Sequence, residues 1–213
     1  MKNGRLITVE GIEGAGKSTV VGVIRDWLES RHIPCVLTRE PGGTPVAEAI
    51  RQILLSPDFK ESIQSETELL LMFAGRAQHI SEVVAPALAA GKWVVSDRYL
   101  DASYAYQGGG RGLPFERIQW LEHWIAGACQ PELTFLLDLP PAVGLARAKK
   151  RGPHDRIEQE RLDFFERVRA AYLIRAGQFP DRIMVVDALQ SAEEVQALLL
   201  KKLAELQETS QNF

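Results

Sequence analysis

Residues 6–19 read Leu-Ile-Thr-Val-Glu-Gly-Ile-Glu-Gly-Ala-Gly-Lys-Ser-Thr, an apolar run that breaks into glycines and then hands over to a helical pattern. Gly11, Ile12, Glu13, Gly14, Ala15, Gly16, Lys17 and Ser18 fit G-x-x-x-x-G-K-[ST] in the strand-then-helix setting the motif requires. Glycines let backbone N–H groups converge on phosphate oxygens, and the following helix adds a favourable dipole there. Lys17 is placed to reach the β and γ phosphates, and the Ser18 hydroxyl can ligate Mg²⁺, with Thr19 closing the loop. ATP or GTP binding follows.

Working outward, β-rich runs recur at Leu6–Val9, Cys35–Thr38, Trp93–Ser96, Leu133–Leu137 and Ile183–Val186, separated by segments of helical period. That alternation predicts an α/β fold with a five-stranded parallel sheet flanked by helices. Val20, Ile24, Trp27 and Leu28 form one apolar helix face, and Val46, Ile50, Ile53 and Leu54 another, both expected to pack on the sheet. Further helices are predicted over 67–85, ending or kinking at Pro86, over 115–128 and over 192–206. Gln107-Gly108-Gly109-Gly110-Arg111-Gly112 is expected to be a mobile or sharply turning loop. The cationic stretch 148–156, broken by Gly152-Pro153, has the composition of a hinged basic flap.

At 213 residues and 46% apolar composition, the chain is expected to form a single domain over 1–213. A net charge of -3 gives no basic surplus for tracking a nucleic acid, so bound phosphate must be held locally. The two cysteines, Cys35 and Cys129, can build neither a disulfide framework nor a Cys-based metal site. With no signal-type N-terminus and no run of about 18 apolar residues, the expected location is the cytoplasm, away from membranes.

The phosphate motif is shared by motors, switches and kinases, so other residues must decide among them. Asp97 and Arg98 fall at the carboxyl end of the third strand, where open parallel sheets keep their ligands. Asp97 is a candidate for holding Mg²⁺ or one of its waters, and Arg98 for bidentate phosphate recognition. Arg39, Arg51, Arg76, Arg147, Arg151 and Arg156 add cations suited to a second anion and a closing lid. A GTP switch would carry Asn-Lys-x-Asp, which does not occur. An inactive relative would have lost Lys17, Asp97 or the flap cations, which are present.

Taken together, GIEGAGKST (11–19), TREPGG (38–43), Arg51, ELLLMFAGRAQH (68–79), Asp97-Arg98-Tyr99, SYAYQGGGRG (103–112) and the basic stretch to Gln159 resemble the thymidylate kinase family over essentially the whole chain. The resemblance implies a P-loop nucleoside monophosphate kinase fold with a small helical lid (about 148–160), usually a homodimer. It implies transfer of the γ-phosphoryl group of ATP to dTMP with Mg²⁺, giving dTDP and ADP on the way to dTTP. Another nucleoside monophosphate kinase or a non-catalytic switch are the alternatives.

Residue by residue, the resemblance gives Glu13 to the acceptor's 3′-hydroxyl, Arg98 and Arg51 to its phosphate with Arg39 close by, and Arg76 and Gln107 to the thymine edge beside Ser103. Met72 or Phe73 touches the base. Thymine O4 accepts a hydrogen bond, whereas cytosine presents an amino donor there, which would leave an arginine unpaired. Ala15 stands where one family branch carries a P-loop arginine, so the lid cations are expected to assist transfer, Arg151 and Arg156 before Arg147, which suits stacking on adenine. No general base is required, because a phosphate oxygen is already nucleophilic at neutral pH. His32, His79, His123 and His154 are accordingly read as structural or solvated.

Overall fold

The computed structural model describes residues 4–59, 61–151 and 155–208, the side chain of Arg151 excepted. Strands β1 Leu6–Glu10, β2 Cys35–Arg39, β3 Trp93–Asp97, β4 Leu133–Asp138 and β5 Ile183–Asp187 form a fully parallel sheet in the order β2-β3-β1-β4-β5. Each expected run is present and continues one residue further at its carboxyl end. Around the sheet lie α1 Lys17–Ser30, α2 Pro45–Leu55, α3 Ser65–His79, α4 Ala85–Ala89, α5 Leu100–Ser103, α6 Phe115–Ala126, α7 Pro141–Ala148, α8 Leu162–Gln178 and α9 Ala192–Glu208.

Strand periodicity divides the core into two layers, because successive side chains leave opposite faces. Ile7, Val9, Trp93 and Val95 pack with Ile24 and Leu28 of α1, Phe165 and Val168 of α8, and Leu199 and Leu203 of α9. Leu6 and Val94 point the other way, toward Leu69 and Phe73 of α3 and Ile118 of α6. The apolar face expected for α1 is thus buried, whereas that of α2 is split. Thr44 caps α2 by accepting from Ala47 N at 3.2 Å, and Pro45 occupies its first turn. Ala47 and Leu54 are buried, but Val46 and Ile53 face outward. The reason is that α2 lies against α3, with Ala47 and Ile50 facing Gly75, instead of lying on the sheet.

Two wider π turns depart from the expected pattern. The helix begun by α3 neither stops nor gives way at Pro86. It runs through a π turn at Ile80–Val84, where Ala85 N–H reaches back five residues to Ile80 O, and continues as α4 with Pro86 in its first turn. The glycine stretch, too, differs from expectation and is no mobile loop. Tyr104–Gly110 forms a π turn continuing α5, and it is almost wholly buried. A Cβ at Gly109 would lie 2.5 Å from the Ala171 Cβ and 2.7 Å from Arg167 O, and one at Gly110 would lie 2.5 Å from the Phe164 ring. These glycines serve close approach to α8, with backbone against backbone.

Gly109→Ala should therefore force the π turn off α8. Overpacking of this kind costs about 1–3 kcal/mol, which for a chain of this size lowers the melting temperature by at least about 2 °C. Calorimetry of the purified variant measures it, and an unchanged melting temperature would refute the close-approach account.

Candidate active site

The carboxyl ends of β1, β2 and β3 open onto a cavity of about 550 Å³ lined by the glycine loop, the 39–41 turn, α2, α3, the buried π turn and the α7–α8 connection. Gly11, Gly14 and Gly16 all have positive φ. A Cβ at Gly14 would sit 2.0 Å from Gly144 O, so α7 rests directly on the loop and only glycine fits between them. Lys17 Nζ folds back to Gly11 O and Ile12 O at 3.1 and 3.0 Å. Burial, followed by the neighbouring Arg98 charge, brings its pKa down to about 8.

Arg98 is held in the left-handed region, at φ 68°, by its N–H on Val9 O at 3.0 Å and by the Ser96 hydroxyl on its carbonyl at 2.6 Å. Such strain in a bulky residue concentrates at functional sites. Its Nη2 meets Glu13 Oε1 at 2.7 Å, and its guanidinium lies 4.7 Å from the Tyr106 ring centre. Among the described residues its Nη1 is buried without a hydrogen-bond partner. An orphaned cationic donor beside a phosphate loop is what an anionic ligand would satisfy.

Tyr106 gave no functional signal in the sequence, although it lies in the quoted 103–112 stretch. Its hydroxyl donates to Glu13, 2.8 Å from both carboxylate oxygens. Glu13 is therefore fixed from two sides at the cavity wall. Arg39 and Arg51 also line the cavity. Arg39 pairs with Glu48 at 3.0 Å, and Arg51 donates to Pro41 O at 2.8 Å. Burial, and then the charge of Arg39, push the Arg51 guanidinium below its ordinary pKa, as expected of cations gathered before their anion arrives.

Along α3 and the buried π turn, Met72 and Gln107 line the cavity, whereas Phe73, Arg76 and Ser103 stand behind its wall. Arg76 is 1% exposed, and each of its nitrogens has a partner. Nε donates to Glu40 at 2.7 Å, Nη1 to Ser103 at 3.0 Å and Nη2 to Tyr99 O at 2.9 Å. Phe73 lies beneath the Arg76 guanidinium, 4.5 Å from ring centre to carbon. His79 completes this buried cluster between Glu40 and Thr38, which makes it structural.

Arg156 departs from the expected free lid cation. Nε donates to Leu54 O at 2.7 Å and Nη2 to Glu68 at 2.5 Å, while its backbone N–H binds Leu55 O, so it staples the α7–α8 connection to α2 and α3. The guanidinium is drawn there by a buried carboxylate, Glu68, whose charge it shares with Arg111. Arg147 lines the other end of the cavity and donates to Ala188 O at 3.2 Å. The Arg151 side chain, with Gly152, Pro153 and His154, lies outside the described residues.

Ser18 and Asp97 both line the cavity, and no cluster of three or more His, Cys, Asp or Glu side chains among the described residues forms a metal cage. One hydroxyl and one carboxylate beside a triphosphate loop fit Mg²⁺, which takes few protein ligands and keeps waters and phosphate oxygens.

The fold and this cavity are those of a P-loop nucleoside monophosphate kinase. The crystal structure of thymidylate kinase from Ehrlichia chaffeensis matches with a TM-score of 0.76 and 30% identity, covering 94% of this chain and 99% of that one. A thymidylate kinase family model matches residues 9–199. The thymidylate kinase of Neisseria gonorrhoeae (strain NCCP11945) is 53% identical over 199 residues, 93% of this chain and 96% of that protein. That of Chromobacterium violaceum is 52% identical over 208 residues, 98% and 97% of the two. The chain belongs to the thymidylate kinase family.

The depressed Lys17 sets a pH dependence. A lysine with a pKa near 8 carries its charge below pH 8 and loses it above, so its contribution to the affinity for a nucleotide triphosphate should be complete below about pH 7. Between pH 8 and 9 the apparent Kd should rise about fivefold if only the charged form binds. Calorimetric titration with a non-hydrolysable ATP analogue across this range checks it. A flat Kd up to pH 9.5 would mean that Lys17 keeps its proton in the free protein.

Proposed function

We infer that the chain catalyses ATP-dependent phosphorylation of dTMP to dTDP. The observation that carries this reading is one cavity lined both by Lys17, Ser18 and Thr19 of the phosphate loop and by Met72 and Gln107, with the unpartnered Nη1 of Arg98 in the same cavity. An anionic oxygen of the acceptor phosphate attacks the γ-phosphorus, the bond to the β–γ bridging oxygen breaks, and ADP leaves with that electron pair. No side chain has to take a proton. Catalysis is then a matter of placing and neutralising charge.

In this scheme Arg98, Arg51 and Arg39 receive the acceptor phosphate, and Lys17 with the loop N–H groups receives the donor's. Glu13, held by Arg98 and Tyr106, accepts from the sugar 3′-hydroxyl. Ser18 and Asp97 would hold Mg²⁺, which when bound neutralises charge on the donor phosphates. Arg147 packs along adenine. Met72 touches the thymine from the cavity wall, and Arg76, Ser103 and Phe73 support that wall from behind. Since Arg156 is committed to Glu68, the transfer role proposed for the lid falls first on Arg151.

We also propose a homodimer in the cytoplasm. Arg117 and Glu66 approach to 3.7 Å, which sets α6 beside α3. Trp120 and Trp124, 64% and 67% exposed, lie one and two turns beyond Arg117, and the exposed Leu70 lies one turn beyond Glu66. The two exposed tryptophans, their ring centres 5.3 Å apart, make an apolar patch of the kind that marks an interface. No described helix is long and apolar enough to cross a membrane, and Cys35 and Cys129 are free thiols.

Release of ADP measured against a panel of nucleoside monophosphates tests the activity, with dTMP expected to give by far the highest kcat/KM; equal turnover with dCMP would overturn the acceptor assignment. Lys17→Ala should lower kcat at least about 10²-fold, and Arg151→Ala about 10²-fold with a smaller change in KM. If Arg151→Ala kept near-normal kcat, the lid would act only as a cover. Sedimentation at micromolar concentration should give a dimer mass, and Trp120→Glu with Trp124→Glu should give a monomer; a wild-type monomer would refute the interface.

A further inference from the structure

Glu68 is the most heavily engaged carboxylate at the site, and nothing in the transfer chemistry above uses it. It sits on α3, 1% exposed, and it lines the cavity. It accepts from Gln107 Nε2 at 2.9 Å, from Arg111 Nε at 3.2 Å and from Arg156 Nη2 at 2.5 Å. Gln107 is 3% exposed and also lines the cavity, and among the described residues its Oε1 is buried without a hydrogen-bond partner.

Resting on the reading that Gln107 faces the acceptor base, we propose that Glu68 is a positioning residue for base selection. Its carboxylate holds the Gln107 amide with Nε2 inward, leaving Oε1 as an acceptor for an imide N–H on the base.

The orientation of an amide is ambiguous by shape alone, because its oxygen and nitrogen are nearly isosteric, and only its partners decide it. An ionised carboxylate accepts and cannot donate. Burial pushes the Glu68 pKa up, but Arg111 and the hydrogen bonds from Arg111, Gln107 and Arg156 outweigh it and leave the group below its ordinary value, hence an anion. A flipped Gln107 would set two acceptor oxygens against each other in a buried site. The amide is thereby locked in one of its two states.

The lock has a direct chemical reading. Thymine and uracil carry a proton on N3, whereas cytosine carries a lone pair there. An Oε1 that cannot turn away accepts from the first two and repels the third, and a free amide could flip to donate to cytosine instead. Buried polar sites that leave a group unpaired reject the wrong ligand strongly. The selectivity of Gln107 would thus be conferred by Glu68, eight residues from Arg76 on the same helix.

The test is a kinetic cycle on the full chain. The readout is the ratio of kcat/KM for dTMP to that for dCMP. Glu68→Gln should lower this ratio about tenfold or more, through a higher dTMP KM and a gain with dCMP. In a Gln107→Leu background the same substitution should leave the ratio unchanged. A purely structural role would lower both substrates together and hold the ratio. A constant ratio in Glu68→Gln, or an equal fall with Gln107→Leu present, would overturn the proposal. Should Glu68→Gln not fold, Glu68→Gln combined with Arg111→Gln removes anion and cation together, and the same ratio decides. The underlying reading is checked separately with Gln107→Leu alone. If its ratio equals that of the wild type, Gln107 does not face the base. If its ratio falls at least tenfold while Glu68→Gln keeps the ratio, only the Glu68 proposal falls.

Discussion

The contact on which the site depends is the 2.7 Å pair between Glu13 of the phosphate loop and Arg98 at the tip of β3. These strands are sheet neighbours, Val9 pairing with Asp97, so the pair bridges two adjacent strand ends where the chain turns in opposite directions. An arginine at φ 68° stays there only because its neighbours over-determine it. Glu13, the Tyr106 ring and the backbone bonds to Val9 and Ser96 do so. The arrangement leaves one guanidinium nitrogen unpaired, and an anion is the natural partner for it. Strain and incomplete pairing are thus concentrated on one residue, next to the phosphate loop.

Around that pair the fold spends buried carboxylates on orientation. Glu40 holds Arg76 and His79, Glu68 holds Gln107, Arg111 and Arg156, and Asp101 holds Arg175 and Arg182. Desolvation takes back most of what such pairs gain in Coulomb energy, so apolar substitutes could be as stable. What apolar groups cannot do is fix the rotamer of a neighbouring polar side chain. Glu10 shows the cost. It meets Tyr99 N–H and the Tyr172 hydroxyl, at 2.8 and 2.7 Å, and burial, followed by the nearby Asp101 charge, raises its pKa to about 7. That group lies at the end of β1, immediately before the phosphate loop, and its two donors together with the Arg98 charge do not outweigh burial.

How much of this was legible follows from the range of the forces involved. The phosphate loop is local chemistry, with glycines, a lysine and a serine at fixed spacing, and it was readable. So were the five strands, whose apolar, β-branched runs stand out even at β2 and β5, the partly exposed edges of a sheet buried on both faces at β1, β3 and β4. Gly109 and Gly110 suggest a loop because glycine's backbone propensity favours one, while their actual use against Ala171 and Phe164 depends on a helix more than fifty residues away. Likewise α2 carried an apolar face in sequence, but nothing local told that its partner would be α3. Arg156 and Arg76 were visible as cations. Their carboxylates, Glu68 and Glu40, are 88 and 36 residues distant, and no spacing rule connects them. Tyr106 was hidden for the same reason, since its partner Glu13 is 93 residues away.

The distribution of charge explains why the site is built before its ligands arrive. Lys17, Arg51 and Arg98 crowd one cavity, and burial followed by a neighbouring arginine's charge, that of Arg98 on Lys17 and that of Arg39 on Arg51, lowers the pKa of two of the three. That repulsion is a cost in the free protein, and phosphate removes it. Two phosphate groups about to exchange a phosphoryl unit bring the greatest negative charge the cavity meets, and they bring it where the cations converge. Interactions that strengthen as charge gathers on the transferring group raise the rate, whereas those satisfied beforehand raise only affinity. The pairing of Arg156 with Glu68 and of Arg76 with Glu40 removes two arginines from that crowd. It commits them to holding the α3 side of the cavity, so one set of cations is left open to an anion at the phosphate loop while another is fixed within the fold.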